Sequence, residues 1–283
     1  MKHLLCFGFG FTAQHLAKIL PREEWHISGT SRSQNGLAKM VEQRVEGHLF
    51  EKLDDIPKSV THILCSVPPD DVGCPAALKC SLKLNRKIPW TAYLSTTGVY
   101  GNHDGGWVTE ETPLTPNSKR AERRVLAEQH WQNFNAHVFR LPGIYGPGRS
   151  RLDSVMDGTA RRIIKQNQIF SRIHVEDIAA ILKASIHKPN PGRIYNVADD
   201  EPCPPQDVVA YAAHVLGLEL PPEIPFEQAN LSPMARSFYD ESKRVSNARI
   251  KAELGINLKY PNYRIGLAAI ASQLKSRPRA PPV

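Results

Sequence analysis

Nowhere in the 283 residues is there an apolar run long enough to cross a bilayer, which sets aside an integral membrane protein and a membrane partner. The opening "MKHLLCFGFGFTAQ" enters a glycine turn where an export signal would carry a small-residue cleavage site, so a cytoplasmic protein is expected. Cysteine is sparse. Cys6, Cys65, Cys74, Cys80 and Cys203 form an odd set with no CxxC pair and no Cys/His ligand spacing, so neither a disulfide framework nor a metal site is expected. The formal charge of +8 suits an anionic ligand or nucleic acid, but the tail "KSRPRAPPV" supplies part of it without any fold. The densest basic stretch, "TPNSKRAERRVLAEQHW" from Thr115 to Trp131, is broken by Glu122 and Glu128 and offers no interleaved aromatics for bases to stack on, so no nucleic-acid partner is expected.

What is present is an alternation of short apolar runs and helical spacings. "HLLCF" is a continuous apolar run suited to a strand covered on both faces. It is followed by glycines and by "TAQHLAKIL", with Ala13, Leu16, Ala17 and Leu20 at helical spacing up to Pro21. "WHISGT" and a helix over Gln34 to Arg44 follow; "HILCSV", "TAYLST", "HVFRL" and "IYNVA" are further strands. The order predicts an α/β fold with a doubly wound parallel sheet. Beyond Gly148 the pattern loosens, with helices expected near Glu176–His187, Pro205–Gly217, Ser242–Leu254 and Asn262–Leu274. The proline-rich "LELPPEIPFEQANLSP" reads as an ordered connection or a substrate-side loop.

The spacing Gly8, Gly10, Ala13 is a GxGxxA turn between a strand and a helix. Residues without a side chain let the backbone approach a pyrophosphate, Ala13 permits close helix packing, and free helix-start amides face the negative charge. Gly8, Phe9, Gly10, Phe11, Thr12 and Ala13 are therefore the expected diphosphate site; a tight structural turn is the alternative. The second strand ends in "GTSRS", with no acidic residue between His26 and Gly36 to accept the ribose hydroxyls of NAD. Ser31 and Arg32 would instead hold a 2′-phosphate, which favours NADP while leaving NAD open; an ordinary solvated loop cation is the other reading of Arg32. In "CSVPP", Ser66, Val67 and Pro68 would line the cofactor at the carboxyl edge of the sheet, unless the prolines simply end the strand.

Several spaced motifs then coincide: "GFGFTA", "YLSTTGVYG" at Tyr93–Gly101, "RLPGIYGPGR" at Arg140–Arg149, "RIHVEDIA" at Arg172–Ala179, "YNVADDEP", and "RVSNARIKAELGINLKYPNYRIGL". Together they resemble the extended short-chain dehydrogenase/reductases, in the NAD-dependent epimerase/dehydratase superfamily, over nearly the whole chain. The resemblance implies a Rossmann domain over 1–148 with a return segment at about 173–200, and a smaller substrate-side region formed by 149–172 and 201–283. It also implies a Ser or Thr that binds the reacting oxygen, best matched by Thr96 with Thr97 as competitor, and a Tyr-x-x-x-Lys helix about two dozen residues later.

That helix has no tyrosine. Anchored on Glu128, which family members commonly place four residues after the lysine, it puts Arg124 at the lysine position and Arg120 at the tyrosine position. The usual phenol exchanges a proton as hydride moves, and arginine stays protonated. Tyr100 and Tyr145 are substitute donors, with plain packing as the alternative. His103 reads as an exposed-loop residue, and His174 as one holding a loop beside the substrate region. Glu110 and Glu111 would bind a polar substrate or face water, and Arg140, Arg149, Arg161 and Arg162 would grip an anionic group or lie solvated. The expected function is an NADP-dependent oxidoreductase or epimerase-like protein for a small hydroxyl- or carbonyl-bearing substrate, with nucleotide sugars among the candidates. The competing reading is an NADP-binding sensor without turnover. In this family the same helix often packs in a homodimer, to which Val125, Leu126 and Trp131 would contribute an apolar stripe; the intrachain core is the alternative destination.

Overall fold

A computed structural model describes residues 1–53, 55–83 and 87–276, so most of the basic tail lies outside the described residues. Seven strands build the central sheet: β1 (Lys2–Phe7), β2 (Trp25–Ser31), β3 (Glu46–Leu49), β4 (His62–Cys65), β5 (Trp90–Thr96), β6 (His137–Leu141) and β7 (Ile194–Asn196). Their spatial order is β7-β6-β5-β4-β1-β2-β3, and every neighbouring pair is parallel. The order reverses between β1 and β4, which opens a crevice at their carboxyl ends where open α/β sheets take ligands.

The continuous apolar runs are explained by cover on both faces. On one face Leu4, Cys6, Ile27, Leu64 and Phe139 pack with Ala13, Leu16 and Ala17 of α1 (Phe11–Ile19). On the other, Leu5, Phe7, Ile63 and Tyr93 pack beneath Ala76, Ala77 and Cys80 of α3 (Pro75–Lys83), and beneath Ala127 and Trp131 of α4 (Lys119–Gln132). Each leucine, isoleucine or phenylalanine among them contributes roughly 1.5–3 kcal/mol when fully buried, so a run without polar interruptions is what the interior positions require. α2 (Gln34–Glu42) follows β2. A third apolar cluster joins Tyr145, Leu152 of α5 (Arg151–Met156), Val208 and Ala212 of α7 (Pro205–Leu216), and Leu267 and Ile270 of α10 (Tyr263–Ser276). α6 (Val175–His187) and α9 (Ala248–Leu254) return to the sheet's first face, while α8 (Pro233–Ser237) follows the proline-rich segment.

Two elements differ from expectation. β3 is only Glu-Gly-His-Leu at the sheet edge, too short and too polar to declare itself, yet Ser28, Gly29, Thr30 and Ser31 of β2 pair with it in register. The helix expected over Ser242–Leu254 starts only at Ala248. Before it, Arg244 and Val245 pair in parallel with Trp107 and Val108, and the Ser242 carbonyl accepts the amides of His103 and Gly105. These backbone groups are committed to the 102–108 loop, so a helical turn there has no free partners. No helix among the described residues is long and apolar enough to cross a membrane.

Candidate functional site

The glycine turn sits at the crevice. Gly8 has φ +83°, and a side-chain carbon there would come within 2.9 Å of Ser66 Oγ, so both conformation and space require glycine. Ser66 Oγ donates to the Gly8 carbonyl at 2.8 Å, and the Gly8 amide donates to Thr30 Oγ1 at 3.0 Å, which fixes the turn between three strands. Gly10 is exposed, and nothing lies within 4 Å of where its side chain would begin. It precedes α1 without any side-chain cap, and the first turn of α1 carries no acid. An uncapped helix start behind an open glycine is a cradle for a diphosphate, so these residues fit a dinucleotide. Thr12 and Ala13 are buried against the sheet, Phe9 lies buried against Gly29, and Phe11 is half-buried under the Arg149 guanidinium at 5.6 Å.

At the end of β2 the Ser31 hydroxyl donates to the Ser33 carbonyl at 3.1 Å, while Arg32 is exposed on the loop leading into α2. Across the turn, Val67 is half-buried and Pro68 exposed at the end of β4.

Beyond Thr96 the chain forms a short 3-10 turn over Thr97–Tyr100, and Thr96 Oγ1 accepts the Gly98 amide at 3.1 Å. This turn opens a cavity of about 970 Å³ that extends between the sheet and the third apolar cluster. Its walls carry Arg120, Arg149, Arg151, Arg172 and Lys243, together with Asp153, Asp157 and Glu241, and with Tyr145 and Phe238. Among the described residues, none of the four arginines has a carboxylate within ion-pairing distance. Arg120 lies 4.6 Å over the Phe238 ring, and Arg172 donates to Cys203 Sγ at 2.7 Å. Burial and the neighbouring Arg172 charge lower the Arg151 pKa, although the phenol of Tyr239 opposes them. A concentration of unpaired guanidinium groups calls for an anion.

The helix expected to carry the catalyst is α4, and its two arginines part company. Arg124 donates to the Tyr93 hydroxyl at 2.9 Å and to the Leu94 carbonyl at 3.1 Å, facing the sheet. Arg120 faces the cavity. Glu128 is buried and accepts Ser95 Oγ at 2.5 Å and Arg140 NH2 at 2.7 Å. Arg140 also donates to the Tyr100 hydroxyl at 2.8 Å, and that hydroxyl donates to Asn196 Oδ1 at 2.8 Å. Two expectations are corrected here: Arg140 is committed to a buried ion pair, and Tyr100 is fully buried, doubly hydrogen-bonded and absent from the cavity wall. Trp131 stacks on Tyr93 inside the chain, while Val125 and Leu126 are half-buried.

Tyr145 does line the cavity. Its hydroxyl donates to the Asn262 carbonyl at 3.4 Å, and burial pushes the phenol's pKa well up, which makes it a poor acid. His103 Nε2 lies 3.0 Å from the Tyr100 carbonyl. His174 caps α6 by accepting the Glu176 amide, and burial lowers its pKa to about 4. Glu110 accepts the Asn196 amide at 2.8 Å, and the exposed Glu111 pairs with Arg249, so neither faces the cavity. Arg161 donates to the Gly158 and Ala160 carbonyls, and Arg162 pairs with Glu223 at 3.0 Å.

The sequence reading missed Arg151, Arg172, Phe238, Glu241 and Lys243. The "YDESKR" segment carries its signal in two pairs of adjacent charges, Asp240–Glu241 and Lys243–Arg244, but the helical reading of Ser242 onward hid that it passes the cavity as extended chain.

An open glycine turn at the switch point of a parallel sheet, beside a cavity that begins at a Ser/Thr-rich turn, is the arrangement of an α/β Rossmann fold into which a dinucleotide fits. Residues 75–198 match the NAD dependent epimerase/dehydratase family. It is 51% identical to a functionally unknown conserved protein from Silicibacter pomeroyi DSS, across 96% of this chain and 99% of that one, with a TM-score of 0.93. It is 26% identical to Protein YeeZ of Escherichia coli (strain K12), across 93% of this chain and 97% of that protein. The fold also matches human epimerase family protein SDR39U1 (isoform 2), solved with NADPH, at TM-score 0.77 and 16% identity, across 96% and 99% of the two chains.

Proposed function

We propose that this protein is an NADP-dependent oxidoreductase or epimerase-like enzyme acting on a small hydroxyl- or carbonyl-bearing anion. Gly8–Ala13 would hold the diphosphate, Ser31 and Arg32 the 2′-phosphate, and Ser66, Val67 and Pro68 the wall beside the nicotinamide. A bound reduced nicotinamide supplies hydride there. Thr96 would position the reacting oxygen, with residues 149–172 and 201–283 enclosing the substrate.

The observation that carries this reading is the cavity, which begins at Thr96 and is walled by arginines without carboxylate partners. An anionic substrate, a nucleotide sugar among the candidates, would supply the missing charge. Fold neighbours solved with NAD or with NADPH support a nicotinamide cofactor, and the preference for NADP rests on the Ser31–Arg32 loop. Anaerobic stopped-flow with NADPH and a panel of carbonyl compounds and nucleotide sugars tests it. Nicotinamide oxidation or an epimerised product is expected; binding of NADPH without either removes the enzymatic reading.

The arginines at positions 120 and 124 favour a second reading, a sensor in which NADP occupancy alters a partner interaction. It requires partner affinity to change with saturating NADP, and equal affinities exclude it.

A further inference from the structure

We propose that Lys243, held against Glu241, exchanges the proton with the substrate oxygen bound at Thr96, in place of the absent tyrosine. The proposal rests on the oxidoreductase reading above and supplies the acid that reading lacks. Lys243 is 7% exposed, and its ammonium donates to the Gly101 carbonyl at 2.7 Å and to Glu241 Oε2 at 2.5 Å. An ammonium has three hydrogens, so one remains for a ligand in the cavity whose wall Lys243 forms. Glu241 Oε2 and Thr96 Oγ1 approach the same side of Gly98: they lie 4.0 and 3.5 Å from where a side-chain carbon on that glycine would sit. The Thr96 hydroxyl and the Glu241 carboxylate that holds Lys243 thus converge on the space beside Gly98, a residue of the cavity wall, where glycine leaves room.

The segment is held rigidly. Gln168 Nε2 donates to the Glu241 carbonyl at 2.6 Å, the Ser242 amide donates to Asn102 Oδ1 at 2.8 Å, and the Val245 amide donates to Ser171 Oγ at 3.0 Å. A fixed donor adds little reorganisation to the step. Burial lowers the Lys243 pKa from its ordinary value against the opposing Glu241 carboxylate, which brings the amine toward a working range that the cavity's arginines cannot reach. The other charged or titratable groups sharing the cavity are Arg120 from α4, Arg149 before α5, Arg151 and Asp153 from α5, Asp157 after it, Tyr263 from α10, and Tyr145, Arg172 and Tyr239 from the chain between helices.

In reduction, the Lys243 N–H bond breaks as the product O–H bond forms, while the carbon takes the hydride and the nicotinamide is left oxidised. The neutral amine then regains a proton from solvent by way of Glu241. Oxidation runs the same transfers backwards, with the neutral amine as base.

Three measurements test this together. In pH-dependent acetic anhydride labelling of the cofactor-free chain, mapped by mass spectrometry, Lys243 should label with a midpoint below those of the exposed Lys2 and Lys39. Glu241→Gln should move that midpoint further down. Labelling of Lys243 alongside the surface lysines, or none at any pH, overturns the proposal. Lys243→Met should bind NADPH within about twofold of the parent yet lose turnover by roughly 10²–10⁴-fold, the usual weight of a general acid. Lys243→Arg restores the charge and the hydrogen bonds but not the exchange, so retained turnover in that variant assigns the lysine a structural role. Turnover that survives Lys243→Met sinks this proposal alone, whereas NADPH binding with no turnover in the parent protein sinks the oxidoreductase reading and this proposal with it.

Discussion

The glycine turn after β1 and the helix α4 are the two places where this fold ordinarily fixes its chemistry, and they have been treated differently. The turn works through its backbone. Gly8 at φ +83° and the open space beyond Gly10 leave no alternative residue that preserves both shape and ligand approach. α4 works through side chains, and its packing side is buried: Ala121, Ala127, Glu128 and Trp131 face the core. Of its two arginines, Arg124 donates into the sheet, to the Tyr93 hydroxyl and the Leu94 carbonyl, and Arg120 faces the cavity. A site encoded in backbone geometry is hard to lose without losing the turn, whereas a proton donor can move to another segment that reaches the same space.

The sharpest way to break this contrast is at Glu128. Its carboxylate balances the Arg140 guanidinium, and both side chains are 3% exposed. Glu128→Ala leaves a buried unpaired cation, so a loss of about 3–5 kcal/mol is expected in denaturant unfolding. A loss below about 1 kcal/mol would mean that α4 is held by apolar contacts alone, and the argument for its retention would fall.

Asp199, three residues past β7, extends the comparison to the far end of the sheet. It is buried, and burial pushes its pKa up to about 8 against the nearby Arg172 charge. The folded state therefore keeps a proton that the unfolded chain gives up near pH 4. Stability should fall as pH rises through the window from about 4 to 8, by at most about 1.4 kcal/mol per unit, and level off above it. Measuring between pH 6.5 and 8 avoids the buried His3, His62 and His174, whose pKa values, lowered to about 4 chiefly by burial, reduce stability on the acid side. Asp199→Asn should flatten the melting-temperature slope in that interval; an unchanged slope would assign it to other groups.

How much of this was legible depends on which interaction wrote the pattern. Six of the seven sheet strands follow from apolar runs such as "HLLCF" and "HVFRL", because burial on both faces leaves an unbroken signature. β3 leaves none, since an edge strand of four residues is held by backbone pairing. The glycine spacing announced the turn because geometry restricts the residue type there. Arg140 and Arg149 carry the same side chain nine positions apart, yet one is locked against Glu128 and the other lines the cavity. Nothing local separates them, because the difference is made by α4 crossing over one of them. Lys243 was hidden for the same reason: its partners, the Gly101 carbonyl and the Thr96 turn, lie about 140 residues earlier.

Within the turn itself, Gly8→Ala asks whether backbone geometry is the limiting requirement. A left-handed non-glycine residue costs on the order of 1–3 kcal/mol, and the 2.9 Å approach to Ser66 Oγ adds to it. NADPH affinity should fall more than stability does, because the displaced turn also misdirects the start of α1. Equal losses would make the turn a structural feature alone.

Arg32→Glu produces the smallest change in the fold and the most specific one in the ligand. The residue is exposed on the loop, so the melting temperature should hold. Removing a charge-assisted hydrogen bond to a phosphate costs roughly 1.5–3 kcal/mol, and the new carboxylate repels the same group. NADP affinity, read by calorimetry, should therefore drop by about tenfold or more, while NAD, whose ribose hydroxyls a carboxylate can accept, is held or gains. Parallel losses for the two nucleotides would show that the loop after β2 does not read the 2′ position, and the preference for NADP would then have to be sought on another wall of the crevice.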